Sequence, residues 1–253
     1  MIKRKIVFCR LIYTFMKGII MKRLFAILAM LLLSGAMPFA AHAQEPDYKN
    51  LSLPELTRMA MAGDAVAQFF LGVRYESGQS VLRDYRQAVN WFQKAAEQGY
   101  APAQHDLGVM YEDGRGVPQD YRQAVNWYQK AAEQGLSEAQ FNLGLMYANG
   151  RGVPQDYRQA VNWYQKAAEQ GYALAQFNLG AMHYYGQGVP QDIVLAYAFA
   201  NLAAADGNKT ALENQDIFAK EMTHAQIEEG QAIASKWRVG QPLPTTSKTG
   251  RAQ

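Results

Sequence analysis

Cysteine is almost absent from this chain. Its one cysteine, Cys9, lies near the start of the 253 residues, so the remainder can form neither a disulfide framework nor a thiolate metal site. Acidic residues are absent from residues 1–43, which hold seven basic ones: Lys3, Arg4, Lys5, Arg10, Lys17, Lys22 and Arg23. The net charge of +3 belongs to that segment, because the rest carries 18 basic against 22 acidic residues, a net of −4. Such a body lacks the basic footprint of a nucleic-acid binder. Histidine is scarce, and His105, His183 and His224 fall at no metal-ligand spacing. A Gly-x-Ser-x-Gly elbow is missing. The loop Gly114-Arg115-Gly116 lacks the third glycine and the Lys-Ser/Thr of a phosphate loop, and it joins two helices. The carboxylate pairs Glu112-Asp113 and Glu228-Glu229 read as solvated helix surface. These absences predict no catalytic residue, no metal and no cofactor.

The leader has the parts of a secretory signal. Met21-Lys22-Arg23 is a positive n-region, Leu24–Leu33 an apolar core of ten residues, and Ala41-His42-Ala43 supplies small residues before a cut. Counted from Met21 the signal is 23 residues long; counted from Met1 it is 43, which is too long. Met21 is therefore the expected true start and Gln44 the expected mature N-terminus. Leu24–Ala41 is an 18-residue apolar stretch at the lower edge of a spanning helix. Gly35 and Pro38 break it, so cleavage is expected, with no stable membrane insertion afterwards and a periplasmic or secreted product.

What the sequence does have is a repeat. Gly63, Gly99, Gly135, Gly171 and Gly207 are spaced by 36 residues, and so are Asp84, Asp120, Asp156 and Asp192. The pairs Leu71-Gly72, Leu107-Gly108, Leu143-Gly144 and Leu179-Gly180 keep the same interval, and residues 114–135 and 150–171 are identical at 22 positions. Each unit reads as two helices. In the second unit the first runs from about Ala101 to Tyr111, with Ala103, Leu107 and Tyr111 on one face. A glycine costs a helix interior about 1 kcal/mol against alanine, so the recurring Gly108 predicts close approach of a neighbouring helix, taken to be across the unit boundary. Asp120 is an N-cap and Gln123 completes a capping box. The second helix runs from Tyr121 to Gln134, buries a stripe of Tyr121, Ala124, Val125, Tyr128, Ala131 and Ala132, and ends at Gly135 as a left-handed cap.

Neither helix can bury its face alone, so stacked units must share one continuous core. The expected layout is 44–63 as linker and capping helix, 64–207 as four repeats (64–99, 100–135, 136–171, 172–207), 208–238 as C-terminal capping helices and 239–253 as a disordered tail. Ser52 with Glu55 is expected to box the first helix. The periodic Trp91, Trp127 and Trp163 read as packing between units.

The pattern Ala-x-Ala-Gln-x-x-Leu-Gly-x-x-Tyr-x-x-Gly-x-Gly-Val-Pro-Gln-Asp-Tyr-x-x-Ala-x-x-Trp-Tyr-x-Lys-Ala-Ala-Glu-Gln-Gly resembles the Sel1-like repeat, a relative of the tetratricopeptide repeat. The resemblance covers 64–207. It implies an all-α fold, an α-solenoid superhelix of antiparallel helix pairs whose first helices line a concave face, and a scaffold or adaptor role. Unit one departs from the pattern at Gly78-Gln79-Ser80, and unit four at Leu195 and Phe199. Exported members with a disulfide in each helix pair have properties that do not transfer to a body without cysteine.

The first helices vary where the second helices are copied. Positions that face the groove in the related fold include Phe69, His105, Val109, Glu112, Phe141, Leu145, Asn149, Phe177, Tyr184 and Tyr185. They predict an apolar, aromatic and partly acidic partner-binding surface, although the Phe69, Phe141 and Phe177 position equally suits the core. The leading expectation is a monomeric exported scaffold of the bacterial envelope that binds a protein partner of unknown identity in its groove. The alternatives are a secreted factor binding a host protein and a cell-wall-directed envelope enzyme.

Overall fold

A computed structural model of the protein describes residues 46–249, apart from 206 and 208. The signal-peptide reading lies outside the described residues, as does the N-terminal part of the 44–63 segment. A nine-residue helix opens the fold, α1 (Leu53–Met61). Four helix pairs of 13 residues per helix follow: α2 (Ala65–Ser77) with α3 (Tyr85–Glu97), α4 (Ala101–Asp113) with α5 (Tyr121–Glu133), α6 (Ser137–Asn149) with α7 (Tyr157–Glu169), and α8 (Ala173–Tyr185) with α9 (Ile193–Ala205). Then come α10 (Lys209–Glu221) and α11 (His224–Lys236). Each first helix packs antiparallel on its own second helix, and each second helix packs on the next first helix. The fold is thus an all-α repeat solenoid.

Local sequence sets the starts of α3, α5 and α7 and the ends of the four first helices. Asp84, Asp120 and Asp156 each accept the backbone N–H groups of the residues two and three positions on, at 2.9–3.1 Å. The expected reciprocal box at Asp120–Gln123 is not made. The N–H that Gln123 would have to reach already donates to the Tyr111 carbonyl at 2.9 Å. A full box forms instead at Thr223–Gln226, opening α11. Ser52 also makes no side-chain cap, and Pro54 removes one of the N–H groups such a cap would use. First helices end on Gly78, Gly114, Gly150 and Gly186, all left-handed, with φ between 65° and 76°.

Each buried cluster straddles a unit boundary. Ala88, Val89, Phe92, Ala95 and Ala96 of α3 join Ala103, Leu107 and Met110 of α4, and α5 joins α6 in the same way. Trp91, Trp127 and Trp163 pack, half-buried, on the cluster of the preceding boundary, each with its own lysine 3.9–4.0 Å above the ring.

The helix glycines serve a different contact from the one expected. A methyl placed on Gly108 would lie 2.7 Å from the Tyr128 ring, and one on Gly144 2.6 Å from the Tyr164 ring. Both rings belong to the same unit as their glycine. The close approach between units is made by the second loop glycine. A methyl on Gly116 or Gly152 would lie 2.3 Å from the carbonyl oxygen of Tyr85 or Tyr121, in the first turn of the preceding second helix. Unit one follows only the short α1, and there the exposed Ser80 keeps the left-handed φ of 66°.

A buried glutamine ladder ties the boundaries. Gln68, Gln104 and Gln140 donate to the carbonyls of Ala60, Ala96 and Ala132, in the last turn of the preceding helix, at 3.0–3.1 Å. They accept from Gln98, Gln134 and Gln170 at 2.7–2.8 Å. The sequence has Asp206 at the next step, and among the described residues Gln176 Oε1 has no donor.

Beyond unit four, α10 keeps the interval. Its Ala211 is buried like Ala67, Ala103, Ala139 and Ala175. α11 then packs on α9, with Gly230 against the Tyr197 ring. The tail differs from expectation, because residues 239–249 are folded back. Gly240 N–H donates to the Glu169 carbonyl at 2.7 Å, Leu243 is buried beside α7 and α8, and the Ser247 hydroxyl donates to Asp192 at 2.7 Å. The buried Leu243 and hydrogen bonds to Glu169, Asp192 and Glu229 together hold a stretch that composition marks as disordered.

Candidate partner-binding face

The first helices present three rows of side chains at unit spacing. The inner row is Phe69, His105, Phe141 and Phe177, all half-buried. Phe69 lies 5.8 Å from the Phe92 ring and 5.3 Å from Tyr100; Phe141 lies 5.8 Å from Tyr164 and 5.2 Å from Tyr172. Phe69 and Phe141 therefore each give one side to the core while staying half-buried, so for these two the exposed and core readings each describe part of the side chain. The middle row is Val73, Val109, Leu145 and Ala181, half-buried, and Ile217 of α10 extends it, 47% exposed. Ile217 escaped the sequence reading because α10 was taken as a cap, and the 36-residue interval would have found it.

The outer row changes character along the array. Glu76 and Glu112 are followed by Ala148 and Tyr184. Tyr128 donates its hydroxyl to Glu112 at 2.7 Å, and burial followed by this carboxylate holds it neutral far above the ordinary tyrosine range. Tyr164 has Asn178 as its partner instead of a carboxylate, and burial pushes it up to about 12. The loop arginines reach back one unit: Arg115 pairs with Glu76 at 2.9 Å and with Asp113 at 3.0 Å, and Arg151 stands 3.7 Å from Glu112. Burial, and then Asp106, raise the Glu76 carboxyl above its usual range, although Arg115 opposes them. The Asn142 amide donates to His105 Nε2 at 3.0 Å, so the ring proton sits on Nδ1 and is donated to Asp106 at 2.8 Å. Asp106, Arg115 and Asn142 were not in the sequence-based set, because they lie one position off the row or in a loop.

At the far end the structure separates two neighbours. Tyr184 is engaged: its ring stacks 4.7 Å from Phe218, and its hydroxyl donates to Glu221 at 2.9 Å. Tyr185 is 67% exposed, and Asn149 is exposed as well. Neither acidic pair forms a free acid–base couple. Glu112 and Asp113 are taken by Tyr128 and Arg115, and Glu229 accepts the N–H groups of Lys248 and Thr249. Among the described residues no group of three or more His, Cys, Asp or Glu side chains could hold a metal ion, and no helix is long and apolar enough to cross a membrane.

Comparison with known proteins agrees with this architecture. The profile of the Sel1 repeat matches residues 65–100, 101–136, 137–172 and 173–208. The secretory immunoglobulin A-binding protein EsiB of Escherichia coli O6:H1 is 42% identical over 50 residues, which is 20% of this chain and 10% of EsiB. A protective antigen of uropathogenic Escherichia coli with an SLR fold superposes with a TM-score of 0.68 at 42% identity, covering 74% of this chain and 40% of the antigen. A Sel1 repeat protein of Oxalobacter formigenes gives 0.61 at 34% identity, covering 64% of this chain and 67% of that one. The chain thus spans less than half the length of the two Escherichia coli proteins.

Proposed function

The chain belongs to the Sel1 repeat family, and from that premise we propose that it is an exported scaffold that binds a protein partner along its first-helix face. The observation that carries this reading is where the copies diverge. Second helices α3, α5 and α7 differ at one position, Phe92 against Tyr128 and Tyr164, whereas each outward row of the first helices changes residue type at least once along the array. Duplication with selection for recognition leaves this signature: architecture stays copied and specificity drifts.

The test is capture from an envelope extract with the protein as bait, in parallel with Leu145→Arg and with Lys166→Ala on a second helix. A partner retained by the parent and by Lys166→Ala but lost to Leu145→Arg supports the face. Equal capture by all three ends the proposal. Export rests on the leader, and the intact mass of the cellular protein checks it: a chain beginning at Gln44 is expected, and one still carrying residues 24–43 in the membrane overturns it. A second reading, binding of a host protein, is favoured by one observation, the 50-residue similarity to an immunoglobulin A-binding protein. Detection in culture supernatant separates it from a periplasmic role.

A further inference from the structure

The outer row of the first-helix face changes from acidic to aromatic along units one to four, while Glu138 and the Tyr184-bonded Glu221 keep carboxylates beside its other half. Its N-terminal half carries Glu76, Asp106, Glu112 and Asp113, with Arg115 and Arg151 as the opposing charges described above. One unit further on, the Glu112 and Asp113 positions become Ala148 and Asn149, and after another unit Tyr184 and Tyr185. The middle row remains apolar from Val73 to Ile217, with Leu145 half-buried against the core cluster of units three and four.

The two arginines leave the acidic end in surplus. Arg115 is shared between two carboxylates, and Arg151 is too far from Glu112 for a direct hydrogen bond at 3.7 Å. Asp106 accepts only a histidine ring N–H. The Glu76 carboxyl is raised chiefly by its burial, to which Asp106 and, less, Asp113 add against Arg115. A field of this sign repels polyanions and acidic segments and concentrates cationic ones. The far end offers Phe177, the exposed Tyr185 and Leu174, which is 45% exposed, and these suit an aromatic or aliphatic anchor.

We infer that the partner segment seated on this face is two-part, with lysines or arginines over Glu76, Asp106, Glu112 and Asp113 and an aromatic or aliphatic end over Leu145, Phe177 and Tyr185. The inference rests on the first-helix face being the docking surface. It adds the sign and order of the ligand's chemistry. The apolar row alone would accept many hydrophobic segments, and the charged end supplies the discrimination and the rate of encounter.

The test is fluorescence anisotropy on the protein as the cell makes it, with three synthetic peptides. One has arginines at one end and a Phe-Leu pair at the other. The second replaces the arginines with glutamines, and the third has the composition of the first with its residues interspersed. The first is expected to bind at least about tenfold tighter than either control, about 1.4 kcal/mol. Added salt should shrink the advantage over the glutamine peptide, since Asp113 is exposed and Glu76, Asp106 and Glu112 are only half-buried. Glu112→Gln with Asp113→Asn should remove that advantage and leave the glutamine peptide's affinity unchanged. If this double variant melts early, Glu76→Gln with Asp113→Asn replaces it, since neither residue holds the Tyr128 hydroxyl. Equal affinity for the arginine and glutamine peptides overturns the inference. If that shared affinity is lost in Leu145→Arg, the face remains a docking surface without a charge requirement. Binding by none of the peptides also overturns it, and capture of a partner that Leu145→Arg loses would then show that the face binds a different chemistry.

Discussion

The most informative residues are those whose neighbours could not be foreseen. Gly144 was legible as a packing glycine because it recurs beside a buried leucine in every unit. Its partner was not legible, because periodicity fixes the face of a helix without saying which neighbouring helix meets it. The ring of Tyr164 fills the place of the missing methyl. Gly144→Val therefore overpacks the joint within unit three, at a cost of about 1–3 kcal/mol. Adding Tyr164→Leu should recover part of this, and a thermal or urea melt of the four-member cycle would show it as non-additivity. Additive costs would mean that the glycine and the ring do not meet. His183 makes a second residue-scale prediction. It is buried against Phe199, and burial lowers its pKa from the ordinary 6.5, with Asp192 acting in the opposite direction. The unfolded chain then binds the proton more readily than the folded one. Stability from this group is complete above pH 6.5 and is lost as pH falls below it. Denaturant midpoints between about pH 7 and 5.5 should drop more for the parent than for His183→Gln. Identical pH profiles would show that His183 contributes nothing.

At the scale of the element, spacing and caps revealed nearly all of the helices, and α11 begins at its Thr223 cap. The joints between elements were less legible. The Gly-x-Gly loop reads locally as a turn, yet its second glycine is held by the backbone of the previous unit, a contact between residues far apart in sequence. The glutamine ladder is equally hidden, because a buried glutamine and an exposed one look alike until their partners are known. The folded-back tail was missed because composition averages over Leu243 and cannot show the distant carboxylates and carbonyl that Gly240, Ser247 and Lys248 reach. A prediction follows for the loop. Gly152→Ala forces alanine into φ 72° and places its methyl 2.3 Å from the Tyr121 carbonyl. The left-handed conformation alone costs about 1–2 kcal/mol, and the clash adds to it. Hydrogen exchange should then show the α4–α5 and α6–α7 pairs opening separately, where the parent is expected to open them together. Unchanged cooperativity would show that this loop does not couple the units.

For the whole molecule, stability is close to a sum of unit and neighbour terms, and the candidate face is a property of the array, since no unit contains it. This is why its residues could be named from the sequence while its polarity along the array emerged only when the rows were aligned in space. Deleting residues 136–171 should leave a folded protein. The first helix of unit four would then meet α5, whose sequence is identical to that of α7. The shortened chain is expected to melt cooperatively at a lower denaturant midpoint and to lose the face's centre, Phe141 and Leu145. An unfolded product would mean that units three and four recognise each other through something other than the copied joint.

The identity of residues 114–135 and 150–171 has a further consequence in the coding DNA. Where the coding DNA of the two tracts is as alike as their protein sequence, homologous recombination between them would remove or add one whole unit and rebuild the same joint at the crossover. The joint tolerates this because all its partners, the loop glycine, the Asp cap and the ladder glutamines, recur at the same offset. Copy number is then a heritable variable that changes without passing through a misfolded intermediate length. Strains differing by one unit would carry a longer or shorter partner face between the same acidic and aromatic ends.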